Sequence, residues 1–141
     1  MRYEIYLYTP DKMPVFCKKA IAEYEKRLSR YGKIGLHTVR KEREWVQLLD
    51  QAEDGYYLLA GPSIFSEELS LQMTEWEQGR RKAISFYVDQ NYGEAMPDRY
   101  RDKFETFSVS DFRISGPMTA MILYEQIYRG YRIMHNHPYH K

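Results

Sequence analysis

Segments patterned as β-strand and segments patterned as α-helix alternate along nearly the whole chain, and this alternation constrains the fold more than any other feature. Residues 2–9 read as a strand closed by Thr9-Pro10. Pro14 then opens a helix whose apolar positions, Phe16/Cys17, Ala20/Ile21, Tyr24, Leu28 and Tyr31, recur at 3.6-residue spacing, with Gly32 as its C-cap. A short strand is expected over 33–39 and a helix over about 42–53, with Trp45, Leu48, Leu49 and Ala52 on one face. The run YYLLAG at 56–61 suits a buried strand. Ser66 is placed to cap a helix that carries Glu67 and Glu68 in its first turn, buries Leu69, Met73 and Trp76, and ends at Gly79. ISFYVD at 84–89 is the best central strand. A short helix from Pro97, a strand over 104–110 and a final helix over 117–134 complete the series. Such a pattern predicts a single-domain α/β fold spanning residues 1–141, with a largely parallel sheet flanked by helices. Ligands of such sheets bind beyond the C-terminal strand ends, so the loops after Leu59, after Val88 and around Ser110–Pro117 form the expected site.

The last helix carries more apolar surface than one sheet can cover. Met118, Met121, Ile122, Leu123, Tyr124, Ile127, Tyr128, Tyr131 and Met134 spread around most of its circumference, which points to a second subunit and a homodimer. The 21 Lys and Arg against 20 Asp and Glu give a net charge of +1, so any affinity for nucleic acid must come from a local patch. A single cysteine, Cys17, excludes an intrachain disulfide. No segment reads as a signal peptide or a membrane span, and the expected location is the cytoplasm.

Dinucleotide fingerprint, P-loop, HExxH and paired-cysteine spacings are missing from the sequence, and Ser115-Gly116-Pro117 lacks the flanking glycines of a nucleophile elbow. The tail carries His135, His137 and His140, but the ligand set for a metal is incomplete, and Pro138-Tyr139 favours a tail ordered against a partner subunit. Arg129, Arg132 and Lys141 cluster with these histidines. They either complement the helix dipole or form a phosphate-contacting patch with Tyr128, Tyr131 and Tyr139 interleaved for base stacking.

Lys12-Met13-Pro14, Glu23-Tyr24, Arg27-Leu28, Glu125, Ile127-Tyr128-Arg129 and the closing Asn136-His137-Pro138-Tyr139-His140 carry a further reading. Across nearly its full length the chain resembles the small SPOUT-class methyltransferases that modify a pseudouridine (at N3) in large-subunit ribosomal RNA. The resemblance implies a C-terminal trefoil knot and a homodimer in which each tail reaches the partner's site. It also implies an S-adenosylmethionine cleft between the knotted loops. By alignment, cofactor-binding positions fall on Leu59, Asp89, Gly93, Val109, Ser110, Asp111, Phe112, Arg113 and Ile114.

Two regions depart from the family pattern. Where the family reads Ile-Gly-Gly-x-x-Gly, this chain reads Val88-Asp89-Gln90-Asn91-Tyr92-Gly93, so Asp89 must point elsewhere or itself bond the ligand, for example at ribose hydroxyls. A family histidine and arginine are replaced by Gly116 and Ala120. One reading is therefore an active methyltransferase, with His140 as proton acceptor, Arg129 stabilising negative charge or holding phosphate, and Tyr139 stacking on or bonding the base. The alternative is a catalytically inactive knotted homodimer that binds RNA, a ribosome or a protein.

Overall fold

The computed structural model describes residues 1–64, 66–79, 82–94 and 96–135. Strand β1, Arg2–Tyr8, alternates sides with period two: Tyr3, Ile5 and Leu7 enter one core cluster, and Tyr6 and Tyr8 pack against another. The remaining strands are β2 (Lys33–Val39), β3 (Tyr56–Leu58), β4 (Ala83–Val88) and β5 (Glu105–Phe107). They form a five-stranded sheet in the order β2-β1-β4-β3-β5, and every neighbouring pair is parallel. The expected central strand is central: β4 lies between β1 and β3, with Ile84, Phe86, Tyr87 and Val88 all buried.

Helices α1 (Val15–Leu28), α3 (Ser66–Gln78) and α4 (Gly116–His135) cover one face, around Ile5, Leu7, Phe86, Leu69, Met73, Leu123 and Ile127. Helix α2 (Glu42–Gln51) and the segment 96–104, with a 3₁₀ turn at Asp98–Tyr100, cover the other through Trp45, Leu49, Tyr57, Tyr87, Tyr100 and Phe104. The α2 face predicted from sequence, Trp45, Leu48, Leu49 and Ala52, is the one that packs.

Three boundaries differ from expectation. Helix α1 ends at Leu28, and the chain tightens so that the Tyr31 and Gly32 amides both donate to the Leu28 carbonyl; Gly32 lies beyond the cap at Ser29. Ser66 is the first helical residue of α3 rather than its cap, and its hydroxyl donates to Gln126 Oε1 on α4 at 3.3 Å. Strand β5 stops at Phe107, because the chain beyond it bonds to the loop after β3 instead of continuing the ladder.

Helix α4 lies against α1, α3, β1 and β4. Gly130 permits the α3 approach, since a Cβ there would meet Met73 Sδ at 2.4 Å. Neighbours take up much of the apolar circumference noted in the sequence: Leu123, Tyr124, Ile127 and Tyr131 are buried, and Met121, Tyr128 and Met134 pack at the core margin. Met118 and Ile122 remain half-buried. Among the described residues no helix is long and apolar enough to cross a membrane.

Candidate functional site

Three loops meet at the C-terminal ends of β3, β4 and β5, as expected for a parallel sheet. The loop after β3 is bonded to both of the others. Leu59 N donates to Phe107 O at 2.9 Å, Gly61 N to Ser110 O at 3.1 Å, Ile64 N to Ser108 O at 3.0 Å and Ala60 N to Tyr92 O at 3.3 Å. Between them lies a narrow cleft of about 20 Å³, floored by Leu58 and Val88 and walled by Leu59, Val109, Ile114, Ser110 and Phe112. It is a mostly apolar slot edged by backbone polar groups and a few hydroxyls.

Six of the expected cofactor positions line this cleft: Leu59, Asp89, Val109, Ser110, Phe112 and Ile114. Gly93 lies directly behind Leu59. Its φ is +80°, and a Cβ there would come within 2.0 Å of Leu59 Cδ2 and 2.8 Å of Leu58 O, so only glycine fits. Asp111 and Arg113 serve the loops instead. Asp111 Oδ1 accepts from Ser63 N at 2.8 Å, and Arg113 pairs with Glu94 while its guanidinium carbon sits 5.8 Å from the Tyr92 ring centroid.

Asp89 takes the first of its two expected options. Its buried carboxylate accepts three bonds from the protein: Tyr57 OH to Oδ2 at 2.8 Å, and the Asn91 and Gly93 amides to Oδ1 at 2.8 and 2.9 Å. Burial pushes the Tyr57 phenol well above its ordinary pKa, and the adjacent Asp89 charge adds to the shift. The Asp89 side chain thus organises the loop.

Gly116, which the resemblance sets in place of a histidine, is closely packed. At the start of α4, a Cβ would lie 3.0 Å from Leu7 Cδ1 and 3.2 Å from Asp89 O. Ala120, one turn on, is fully buried.

Arg129 is not in this cleft. It follows Gly116 by thirteen residues on one helix, about 20 Å along the axis at 1.5 Å per residue, and it pairs with Glu125. Tyr139 and His140 lie outside the described residues, as do the rest of the closing signature and the tail histidines His137 and His140.

Sequence reasoning missed Tyr92 and Thr119, which also line the cleft. Tyr92 has a left-handed backbone, φ 59°, rare for a side-chain-bearing residue, and nothing in its sequence context signals it. Thr119 was legible in part, because it stands in the first turn of a helix expected to open at the site. Its hydroxyl donates to Ser115 O at 2.9 Å.

Comparison with known proteins decides the family. A family described as "Predicted SPOUT methyltransferase" matches residues 1–140. The chain belongs to the SPOUT methyltransferase family. Among its relatives, ribosomal RNA large subunit methyltransferase H 1 of Thermoanaerobacter sp. (strain X514) is 34% identical, with both chains covered in full. Methyltransferase H 2 of Thermoanaerobacter pseudethanolicus is equally similar, at 34% over the full length of both. Ribosomal RNA large subunit methyltransferase H of Bacillus cereus (strain ATCC 14579) is 27% identical over 89% of this chain and 91% of its own.

Proposed function

We propose that this chain, acting as one domain in the cytoplasm, is an S-adenosylmethionine-dependent methyltransferase of large-subunit ribosomal RNA with a pseudouridine as target. The observation that carries the reading is the three-loop cleft, which gathers Leu59, Val109, Ser110 and Ile114, positions expected from the resemblance to hold the cofactor, in a chain matched to the family over residues 1–140. The chemistry of the lining suits the cofactor. Apolar walls suit an adenine ring and a thioether, and the Asp89 carboxylate, held by three protein donors, brings no unpartnered charge into the slot.

The chemistry that the cofactor supplies when bound is an electrophilic methyl on a sulfonium sulfur. Leu59, Val109 and Ile114 would hold the cofactor, and the loops around Ala60, Tyr92 and Ser110 would keep water from the approach line. His140 would take the imide proton of the base, leaving the nitrogen's electron pair free to accept the methyl that the cofactor would supply. Arg129 stabilises the negative charge that develops on the base, and Tyr139 stacks against it. Asp89 holds the loop rather than the ligand.

Arg129 stands about 20 Å along α4 from the cleft end of that helix, too far to serve its own cleft. We therefore assign the active form as a homodimer in which the C-terminal part of α4 and its tail serve the partner's cleft. Half-buried Met118 and Ile122, with exposed Phe16 and Phe112, offer apolar surface for that contact. The trefoil knot implied by the family is consistent with the way the loop after β3 is bonded to the chain on both sides of it.

Calorimetric titration with S-adenosylmethionine and S-adenosylhomocysteine, followed by transfer of labelled methyl to large-subunit RNA, tests the proposal. Micromolar cofactor binding and methylated RNA are expected. A folded protein that binds neither compound would assign the chain to the non-catalytic binding reading instead. Turnover unchanged in His140→Ala would remove that residue from the mechanism.

A further inference from the structure

A second cavity meets Asp89 from the α2 side of the sheet, and the proposed reaction makes no use of it. It holds about 180 Å³, against about 20 Å³ for the cleft, and Asp89 lines both. Helix α2 turns one face to it through Glu42, Trp45, Val46 and Leu49, at i, i+3, i+4 and i+7. Tyr8 at the end of β1, Tyr57 of β3 and Tyr100 of the 3₁₀ turn supply three more aromatic side chains. Gln90 and Asn91 line this pocket and not the cleft.

The charges of the lining select the kind of ligand. Asp89 and Glu42 bring two carboxylates, and no Lys, Arg or His lines the pocket. Neither carboxylate pairs with a cation among the described residues. The nearby cations are engaged elsewhere. Arg99 sits 4.6 Å from the Tyr100 ring centroid and 3.9 Å from Asp50, and Lys103 donates to the Leu49 and Asp50 carbonyls at 2.7 and 3.0 Å. Asp89 is only 6% exposed, and its three donors are all uncharged. A carboxylate offers about four acceptor sites, so Oδ2, which takes only the Tyr57 hydroxyl, keeps one open. Buried charges are ordinarily matched by an opposite charge, and the cavity leaves room for one.

Rings and aliphatic side chains cannot replace the water shell of a metal ion, and no metal-holding cluster occurs among the described residues. A phosphate-bearing ligand would meet two carboxylates and no basic group. An organic cation suits the whole lining: carboxylates for its head, ring faces for cation–π contact, and Val46 and Leu49 for a methylene stem.

We propose that this pocket binds an organic cation, an alkylammonium or alkylguanidinium group whose head pairs with Asp89 and Glu42 and whose stem lies against Trp45, Val46 and Leu49. The head takes the open site on Oδ2, while Oδ1 keeps both loop amides, so the loop stays anchored. This site does not depend on the methyltransferase reading.

Two-dimensional ¹H–¹⁵N NMR of the labelled chain tests the pocket, because its two tryptophans lie in opposite core clusters, Trp45 in the pocket and Trp76 away from it. Butylammonium and butylguanidinium, titrated at constant ionic strength, should move the Trp45 indole signal and leave that of Trp76 in place. A Kd of about 1 mM or tighter is expected. 1-Butanol, with the same stem and no charge, should bind at least tenfold more weakly. Glu42→Gln should weaken cation binding about fivefold, and Asp89→Asn, which keeps the shape and removes the charge, at least tenfold. The Nα-acetyl methylamides of lysine and arginine separate two sources of the head group. Tighter binding than the butyl ions assigns it to a protein side chain, and weaker binding to a free amine.

An unmoved Trp45 signal overturns the proposal, as does butanol binding as tightly as the cations. Cation affinity unchanged in both variants does the same. If Asp89→Asn does not fold, exposed Glu42, the first residue of α2, decides through Glu42→Gln alone. A Trp45 shift produced by guanosine and by neither cation assigns the pocket to a nucleobase and also overturns it.

Discussion

The Tyr57 hydroxyl donates to the Asp89 carboxylate at 2.8 Å, linking the middle of β3 to the loop that leaves β4. The same carboxylate bonds the Asn91 and Gly93 amides, so one buried side chain sets the curvature of a loop that lines the cleft. Tyr57→Phe leaves the charge buried with two of its three donors. Urea denaturation should show a loss of about 1–3 kcal/mol, the usual range for a bond to a charged group. Asp89→Ala strands the phenol and both amides and should cost more.

Gly93→Ala is expected to be severe. The residue sits at φ +80°, and the added methyl would have to displace both Leu59 and the backbone at Leu58. A loss of about 2–4 kcal/mol is expected from left-handed strain plus the steric clash. Because Leu59 walls the cleft, S-adenosylhomocysteine affinity should fall in any protein that folds. Calorimetry on the refolded variant checks this.

Arg113→Ala should separate loop coupling from stability. The exposed Arg113–Glu94 pair ties the loop after β5 to the loop after β4, with Tyr92 between them. An ion pair of this kind contributes under about 1 kcal/mol to folding. A thermal midpoint moved by no more than a few degrees, alongside weakened cofactor binding, is the expected outcome. Unchanged binding would show that the cleft closes without this contact.

Buried phenols predict a sharp alkaline limit. Burial raises Tyr3, Tyr57 and Tyr124 far above the ordinary value of 10.0, and pushes Tyr87 and Tyr131 up to about 12. Below pH 10 these groups are neutral in both the folded and the unfolded chain, and their contribution is fully present. Above pH 10 the unfolded chain releases protons that the folded chain keeps, so stability declines as pH rises, by about 1.4 kcal/mol per unit for each group. Absorbance at 295 nm should show the exposed tyrosines titrating near pH 10. The buried set should ionise only in a cooperative step that coincides with loss of far-UV circular dichroism. Gradual ionisation of all fourteen tyrosines with the fold intact would contradict this burial.

Sequence periodicity determined the elements, their order, the central place of β4 and the packing faces of α2 and α3. These follow from local rules: a side chain on a strand or helix repeats its direction every 2 or 3.6 residues, and apolar repeats mark the buried side. The closing signature and the matched helix residues likewise determined the family. Tertiary structure decided the rest. Asp89, a misfit in a linear comparison, became a loop anchor only because Tyr57, thirty-two residues away, points at it from the neighbouring strand. Gly116 became a close-packing position only where Leu7 and the Asp89 carbonyl converge on the first turn of α4. Arg129 and Arg27, a hundred residues apart, became one surface because α4 lies alongside α1. Periodicity reports which way a side chain faces; what it meets there depends on contacts between distant segments, which no local pattern encodes.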